Sequence, residues 1–213
     1  MVKAAGATFE PRKTPVQRRS GESVDAILEA TIQVLLSVGK EQLTTTRVAQ
    51  RAGVSVGTLY QYFPNKTALL RECLVRHMDG VRNSVGKMCE EHKGAGLLEM
   101  GTTLVFAYLG AKMRDPKESA ALYSVSSDIE GAALSHAASE RARSMVAEMF
   151  ATAKEGLTKD PETVATMVLA SLNGVARRLL EIKSPERHLE PMREELLALV
   201  HAYLRTCAAS PLE

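Results

Sequence analysis

Tryptophan is absent from the 213-residue chain, and only nine residues are aromatic. A core must therefore be built from Leu, Val, Ala, Ile and Met rather than from rings. Cysteine is scarce too. Cys73, Cys89 and Cys207 cannot all pair within one chain, and their spacing fits no cysteine-based zinc framework. This leads to the expectation of a reducing, cytoplasmic compartment. No apolar run approaches the roughly 18 residues of a membrane span, and the basic first 20 residues lack the apolar stretch of a secretory signal. An excess of one charge is also missing. The 27 Lys and Arg against 25 Asp and Glu leave a net of +2, which excludes one overwhelming basic field. Alternating β-branched runs closed by tight-turn dipeptides do not occur, so strands have no signal. Nucleophile elbow, zinc helix, phosphate loop and dinucleotide fingerprint are all missing, so no catalytic residue is nominated.

What is present is helical period. Hydrophobic residues make up 45% and charged residues 24%, enough to bury a core and too apolar for general disorder. A first helix is expected from Ser23, as cap, to Val38, with Val24, Ile27, Leu28, Thr31, Leu35 and Val38 on one face and Gly39 as stop. Short helices follow from Thr44 or Thr45 to Gly53 and from Ser55 to before Pro64, then a long one over about Lys66 to Glu91. The second half gives helices over about Leu97–Met113, from Pro116, over Leu134–Glu155, from Asp160-Pro161 to Lys183, and from Glu190-Pro191 to Cys207. Residues 208–213 read as a frayed end. The fold class is all-α, with about nine helices.

The informative stretch is TTTRVAQRAGVSVGTLYQYFPNK, Thr44 to Lys66. Thr44 suits a cap, Val48 and Ala49 the buried face of the first short helix, and Gly53 a turn that needs positive φ. Val54 plugs the turn and Ser55 caps the next helix. Leu59 and Phe63, four apart, face inward. Val56, Thr58, Tyr60 and Gln61 are left outside. This is a helix-turn-helix whose second helix reads a surface. The outward set suits DNA: Val56 against a thymine methyl, Thr58 and Gln61 as hydrogen-bonding groups, and Tyr60 and Tyr62 toward phosphate. Gly57 keeps the start of the reading helix small, for close approach. Lys66, and likewise Thr45, Thr46 and Arg47, stand at helix starts, where free N–H groups favour phosphate. Arg47 opposes the dipole of its own helix, which hints at an anionic partner. Three of the nine aromatics, Tyr60, Tyr62 and Phe63, fall within this stretch.

The segment AGVSVGTLYQYFPNK, preceded by LTTTRVAQR and by ILEATIQVLLSVG, resembles the DNA-binding domain of the TetR family of transcriptional regulators. The resemblance covers about Val24 to Leu70. It implies an N-terminal three-helix helix-turn-helix DNA-binding domain followed by a helical ligand-binding and dimerisation core. The expected organisation is then a flexible basic arm over residues 1–20, the DNA-binding domain over 21–70 and the effector and dimerisation domain over 71–213. The implied partners are a double-stranded, palindromic operator, a small-molecule effector and a second copy of the chain, with neither cofactor nor membrane.

The last two helices are apolar on more than one face, which fits either a central place in the core or a surface shared with another chain. The resemblance implies the second, with Val168, Leu172, Val175, Leu179, Leu196, Val200, Tyr203 and Leu204 at the dimer surface. Met100, Met113, Met145, Met149 and Met167, with Phe106, Tyr108, Tyr123 and Phe150, suit an adaptable apolar pocket, although core filling is the commoner role of any one Met. Asn173, in an apolar helix with Ser171, joins them as a candidate ligand contact, the alternative being a polar group that fixes register across a dimer. Cys73 with His77 and Cys89 with His92 form two helical pairs. Twelve residues separate His77 from Cys89, about 18 Å of helix rise, so the pairs cannot share one metal, and no metal site is expected.

Three functions compete: a repressor released from its operator by an apolar or amphipathic effector, a small helical enzyme without a recognisable motif, and a ligand-independent DNA-binding activator. Charge distribution favours DNA. Residues 1–70 hold nine Lys and Arg against five Asp and Glu, and residues 1–20 alone hold five against one. The arm is thus expected to carry much of the salt-dependent affinity, and the reading helix the sequence choice.

Overall fold

The computed structural model describes residues 18–126 and 131–211. The described residues form nine helices: α1 (Arg18–Gln42), α2 (Thr45–Ala52), α3 (Val56–Tyr62), α4 (Lys66–Glu91), α5 (Leu97–Lys112), α6 (Pro116–Val125), α7 (Gly131–Phe150), α8 (Pro161–Glu181) and α9 (Pro185–Arg205). They fall into two compact units. Among the described residues, one comprises 18–77 with 121–126 and 131–134, the other 78–120 and 135–211.

In the first unit, α1 begins at Arg18, before the expected cap at Ser23. Gly21 is the only weak helix former ahead of Ser23, and its cost of about 1 kcal/mol is too small to stop a long helix. The helical path breaks at Gly39, where φ is 75°. Ile27, Leu28, Leu35, Val48, Ala49, Leu59, Phe63, Leu69 and Leu70 are buried together as this unit's core. The Thr31 hydroxyl, also buried, donates to the Ile27 carbonyl at 2.7 Å, so its polarity is met inside its own helix. An ion pair from Arg76 to Asp25 at 2.5 Å joins α4 to α1 on the surface. Of the arm expected over residues 1–20, residues 1–17 lie outside the described residues, and the backbone of 18–20 belongs to α1.

The second unit packs α5, α8 and α9 around Met100, Leu104, Leu109, Val168, Leu172, Leu179, Leu196, Val200 and Leu204. Gly101 makes the α5–α9 crossing close, since a Cβ there would stand 2.5 Å from Leu204 Cδ1. The start of α5 has no side-chain cap of its own. Glu155 supplies one from after α7, its carboxylate accepting from Leu97 N–H at 2.9 Å. α9 starts at Pro185 rather than Glu190, because Pro185 opens the helix as a favoured first residue and Pro191 is accommodated inside it. The end expected to fray is held as far as it is described. Leu157 pairs with Ala208, and Ala209 N–H donates to the Gly156 carbonyl at 3.1 Å. Residues 212 and 213 lie outside the described residues. All three cysteines are buried as thiols, and burial raises the Cys89 thiol to about 11, which keeps it protonated and unreactive.

Candidate functional site

Local chemistry fixes the geometry of α2 and α3. Thr44, extended before α2, accepts from Arg47 N–H at 3.2 Å. At the other end Gly53 takes the left-handed conformation (φ 68°, ψ 26°). Its N–H reaches the Gln50 carbonyl at 3.3 Å, and Val54 N–H reaches that of Ala49 at 3.0 Å. This pair of bonds ends the helix and turns the chain at once. A β-carbon at Gly53 would oppose the turn. Ser55 Oγ then accepts from Thr58 N–H at 2.9 Å and lies 2.8 Å from Thr58 Oγ1, so the hydroxyl serves as the cap of α3. Asn65 repeats the device for α4, its Oδ1 accepting from Ala68 N–H at 2.8 Å.

With Leu59 and Phe63 buried, the rest of α3 faces out. Val56 and Tyr60 are 37% and 41% exposed, which is high for apolar bodies. Gly57, Gln61, Thr46 and Arg47 are exposed, and Thr45, Thr58, Tyr62 and Lys66 are half-buried. Thr45 Oγ1 and the Tyr60 hydroxyl lie 3.1 Å apart, tying the start of α2 to the middle of α3. Two expected contacts carry internal duties as well: Ser55 through its cap, and Lys66, whose ammonium donates to the Lys40 carbonyl at 3.3 Å. Gly57 is not required by the chain's own packing. A Cβ there would meet nothing closer than Ser55 Oγ at 3.7 Å. The fold itself therefore leaves room for a β-carbon at this position.

In the second unit a cavity of about 320 Å³ is lined from α4 by Met78, Val81, Arg82 and Val85, from α5 by Tyr108 and Lys112, from α7 by Ser139, Glu140, Ala142 and Arg143, and from α8 by Thr166, Leu169, Ala170 and Asn173. The Tyr108 hydroxyl donates to Asn173 Oδ1 at 2.5 Å. Burial pushes the Tyr108 phenol well above its ordinary value, so it stays a donor.

Of the residues expected around an effector, Tyr108 and Asn173 line this cavity. Met100, Met149 and Phe150 are fully buried in the core instead, because the helical period turns them inward against neighbouring helices. Met113 and Met145 are half-buried. Phe106, Tyr123 and Met167 are exposed, Phe106 beneath the Arg193 guanidinium at 4.5 Å. The dimer set needs a similar correction. Val168, Leu172, Leu179, Leu196, Val200 and Leu204 are buried within the chain itself, so α8 and α9 are apolar on two sides because they are central. Val175 and Tyr203 are half-buried. The large apolar side chains these two helices leave exposed are Met167 and Leu199, at 50% and 54%. Sequence reasoning missed Lys112. It is the one charged residue between Met100 and Met113, one turn after Tyr108, and reads most simply as a cation suited to a helix C-terminus.

Among the described residues no group of three or more His, Cys, Asp or Glu could hold a metal ion, and no helix is long and apolar enough to cross a membrane.

Residues 27–73 match the family described as bacterial regulatory proteins, tetR family, and residues 97–204 match the tetracyclin repressor-like C-terminal domain. The transcriptional repressor KstR of Rhodococcus jostii is 38% identical over 90 residues, 42% of this chain and 41% of that protein. The chain thus matches about two fifths of that relative's length. Among solved structures, a transcriptional regulator from Rhodococcus sp. RHA1 aligns with a TM-score of 0.68 at 20% identity, covering 89% of this chain and 100% of that one. A TetR-family transcriptional regulator from Streptomyces coelicolor aligns at 0.61 and 22%, covering 85% and 97%. At these identities the structures speak for the fold.

Proposed function

The chain belongs to the tetR family of bacterial regulatory proteins, and we propose that it is a transcriptional repressor that grips a palindromic operator as a homodimer and lets go when an effector fills the cavity of its second unit. The observation that carries this reading is the α3 surface. Val56, Gly57, Tyr60 and Gln61 stand exposed on a helix capped and turned by Ser55 and Gly53, with a glycine that internal packing does not demand. One such helix reads a half-site, so a second copy is needed for a palindrome. The exposed Met167 and Leu199 of α8 and α9 support that pairing. Release runs through α4. This helix carries Lys66 at its start and Met78, Val81, Arg82 and Val85 in the cavity wall. An effector that prefers the DNA-free state shifts the population away from the operator by its differential affinity for the two states. The cavity supports this reading over a ligand-independent activator.

The test is selection of bound fragments from random DNA at stated salt, followed by gel shift with Thr58→Ala, Tyr60→Ala and Lys66→Ala. Each is expected to weaken binding by about 1–3 kcal/mol while the protein stays folded and dimeric. Normal binding by all three overturns the α3 assignment. Removing residues 1–19 is expected to flatten the salt slope, and an unchanged slope takes the arm out of the interface.

A further inference from the structure

The charges around the cavity do not cancel. Arg82 is paired with Asp79 at 2.9 Å. Arg143 is held by Glu162 at 2.5 Å and also by Glu140, which itself lines the cavity. These cations and the one carboxylate in the wall are therefore matched. Lys112 is different: its ammonium has no hydrogen bond and no ion pair among the described residues, although it lies in the wall beside Tyr108. Its side chain is half-buried, and burial alone depresses its basicity. A buried cation without a partner is costly to keep, and a charged group of opposite sign relieves that cost.

A second donor faces the same space. The Tyr108 hydroxyl holds Asn173 by Oδ1, which leaves the Asn173 amide N–H groups for another acceptor. Tyr108 and Lys112 are one turn apart on α5, and Asn173 comes from α8. Met78, Val81 and Val85 of α4 and Leu169 of α8 add apolar lining to the same cavity. We infer that the cavity takes an amphiphile with a single carboxylate, its anion on Lys112 and the Asn173 amide and its hydrocarbon chain along α4 and Leu169. A monoanion fits better than a dianion, because one cation is unmatched and a second negative charge would be buried without a partner. A cavity of about 320 Å³ is of the scale of small-molecule sites, and octanoate, with one carboxylate on an unbranched hydrocarbon chain, serves as the probe.

This inference rests on the reading of the cavity as the effector site, and the experiment separates the two. Octanoate, 1-octanol and octylamine are titrated into the full chain by calorimetry. Octanoate is expected to bind at least about tenfold more tightly than the alcohol, the scale of a charge-assisted hydrogen bond, and octylamine most weakly. Lys112→Met is expected to abolish the advantage of octanoate while leaving 1-octanol unchanged, and Lys112→Arg to keep most of it. Equal binding of all three probes to the wild type overturns the carboxylate assignment and leaves the cavity reading standing. Binding of none overturns both. Octanoate binding unaffected in a folded Lys112→Met overturns the role of Lys112.

Discussion

Thr44, Ser55 and Asn65 each accept from a backbone N–H three residues further on, at 3.2, 2.9 and 2.8 Å. The second unit has local caps too, Asp115 accepting from Glu118 N–H and Asp160 from Thr163 N–H, but it adds long-range ones: Glu155 caps Leu97 from 58 residues away, and Tyr108 meets Asn173 across 65. The first unit thus presents its surface through local rules of capping and turning, each worth about 1 kcal/mol. The second builds its cavity from contacts that exist only once distant helices have packed. A reading surface assembled locally tolerates change at its outward positions, since few of them also support the core. A cavity assembled over long range has walls and core made from the same helices, so the two are hard to alter separately.

The largest expected effect tests the second region. Val200→Glu or Leu204→Glu places a carboxylate where the native side chain is fully buried, at a cost of about 3–5 kcal/mol. Urea denaturation should show the second unit lost or strongly destabilised, rather than a folded monomer. A stable variant that sediments as a monomer would return these residues to a dimer surface and remove the contrast between core and interface. Leu199→Glu, at an exposed position, is the matching change expected to alter association without loss of stability.

Gly57→Ala tests the first region. The added methyl meets ordinary contacts within the chain, and alanine favours helix over glycine by up to about 1 kcal/mol. The melting temperature should hold or rise while operator affinity falls by about 1–3 kcal/mol, the cost of overpacking at a tight interface. Unchanged affinity would mean that nothing approaches α3 closely there.

The smallest effect concerns His201, whose Nε2 lies 2.7 Å from Thr102 Oγ1. The Thr102 hydroxyl also donates to the Leu98 carbonyl at 2.9 Å. Burial first, and the Arg205 charge second, lower the His201 pKa below its usual 6.5. The unfolded chain therefore takes up this proton at higher pH than the folded one. Stability from this group is complete above about 6.5 and declines as the pH falls toward the folded value. Melting temperatures at pH 7.5 and 5.5 should differ more for the wild type than for His201→Gln. Equal differences would exclude His201 from the acid response.

Much of the first region was legible because its signals are adjacent in the chain. Thr44 and Arg47, Gly53 and Val54, Ser55 and Thr58, and Leu59 and Phe63 lie within one turn of each other, and hydrogen-bond geometry at that range is set by backbone conformation. The missed internal duties, Lys66 on Lys40 and Tyr60 against Thr45, span 26 and 15 residues. In the second region the apolar faces of α8 and α9 were legible, but whether they met this chain or another was not. Periodicity counts faces and does not name the neighbour. Periodicity likewise does not separate core from cavity wall within the Met-rich set. Met100, Met149 and Phe150 share the helical phase of the core, and Tyr108 and Asn173 reach the cavity through a pairing that no local spacing encodes.

The amino-acid sequence by itself determined an all-helical chain with a helix-turn-helix at Thr44–Lys66, because caps, breakers and a period of 3.6 act over a few residues. It also determined the placing of its basic excess before Leu70. The packing of the helices decides that Val200 and Leu204 are core, that Glu155 caps α5, and that Lys112 lies in a cavity wall without a counter-ion among the described residues. Each of these depends on which helices stand side by side, and burial and desolvation of a charge have no meaning until those neighbours are in place.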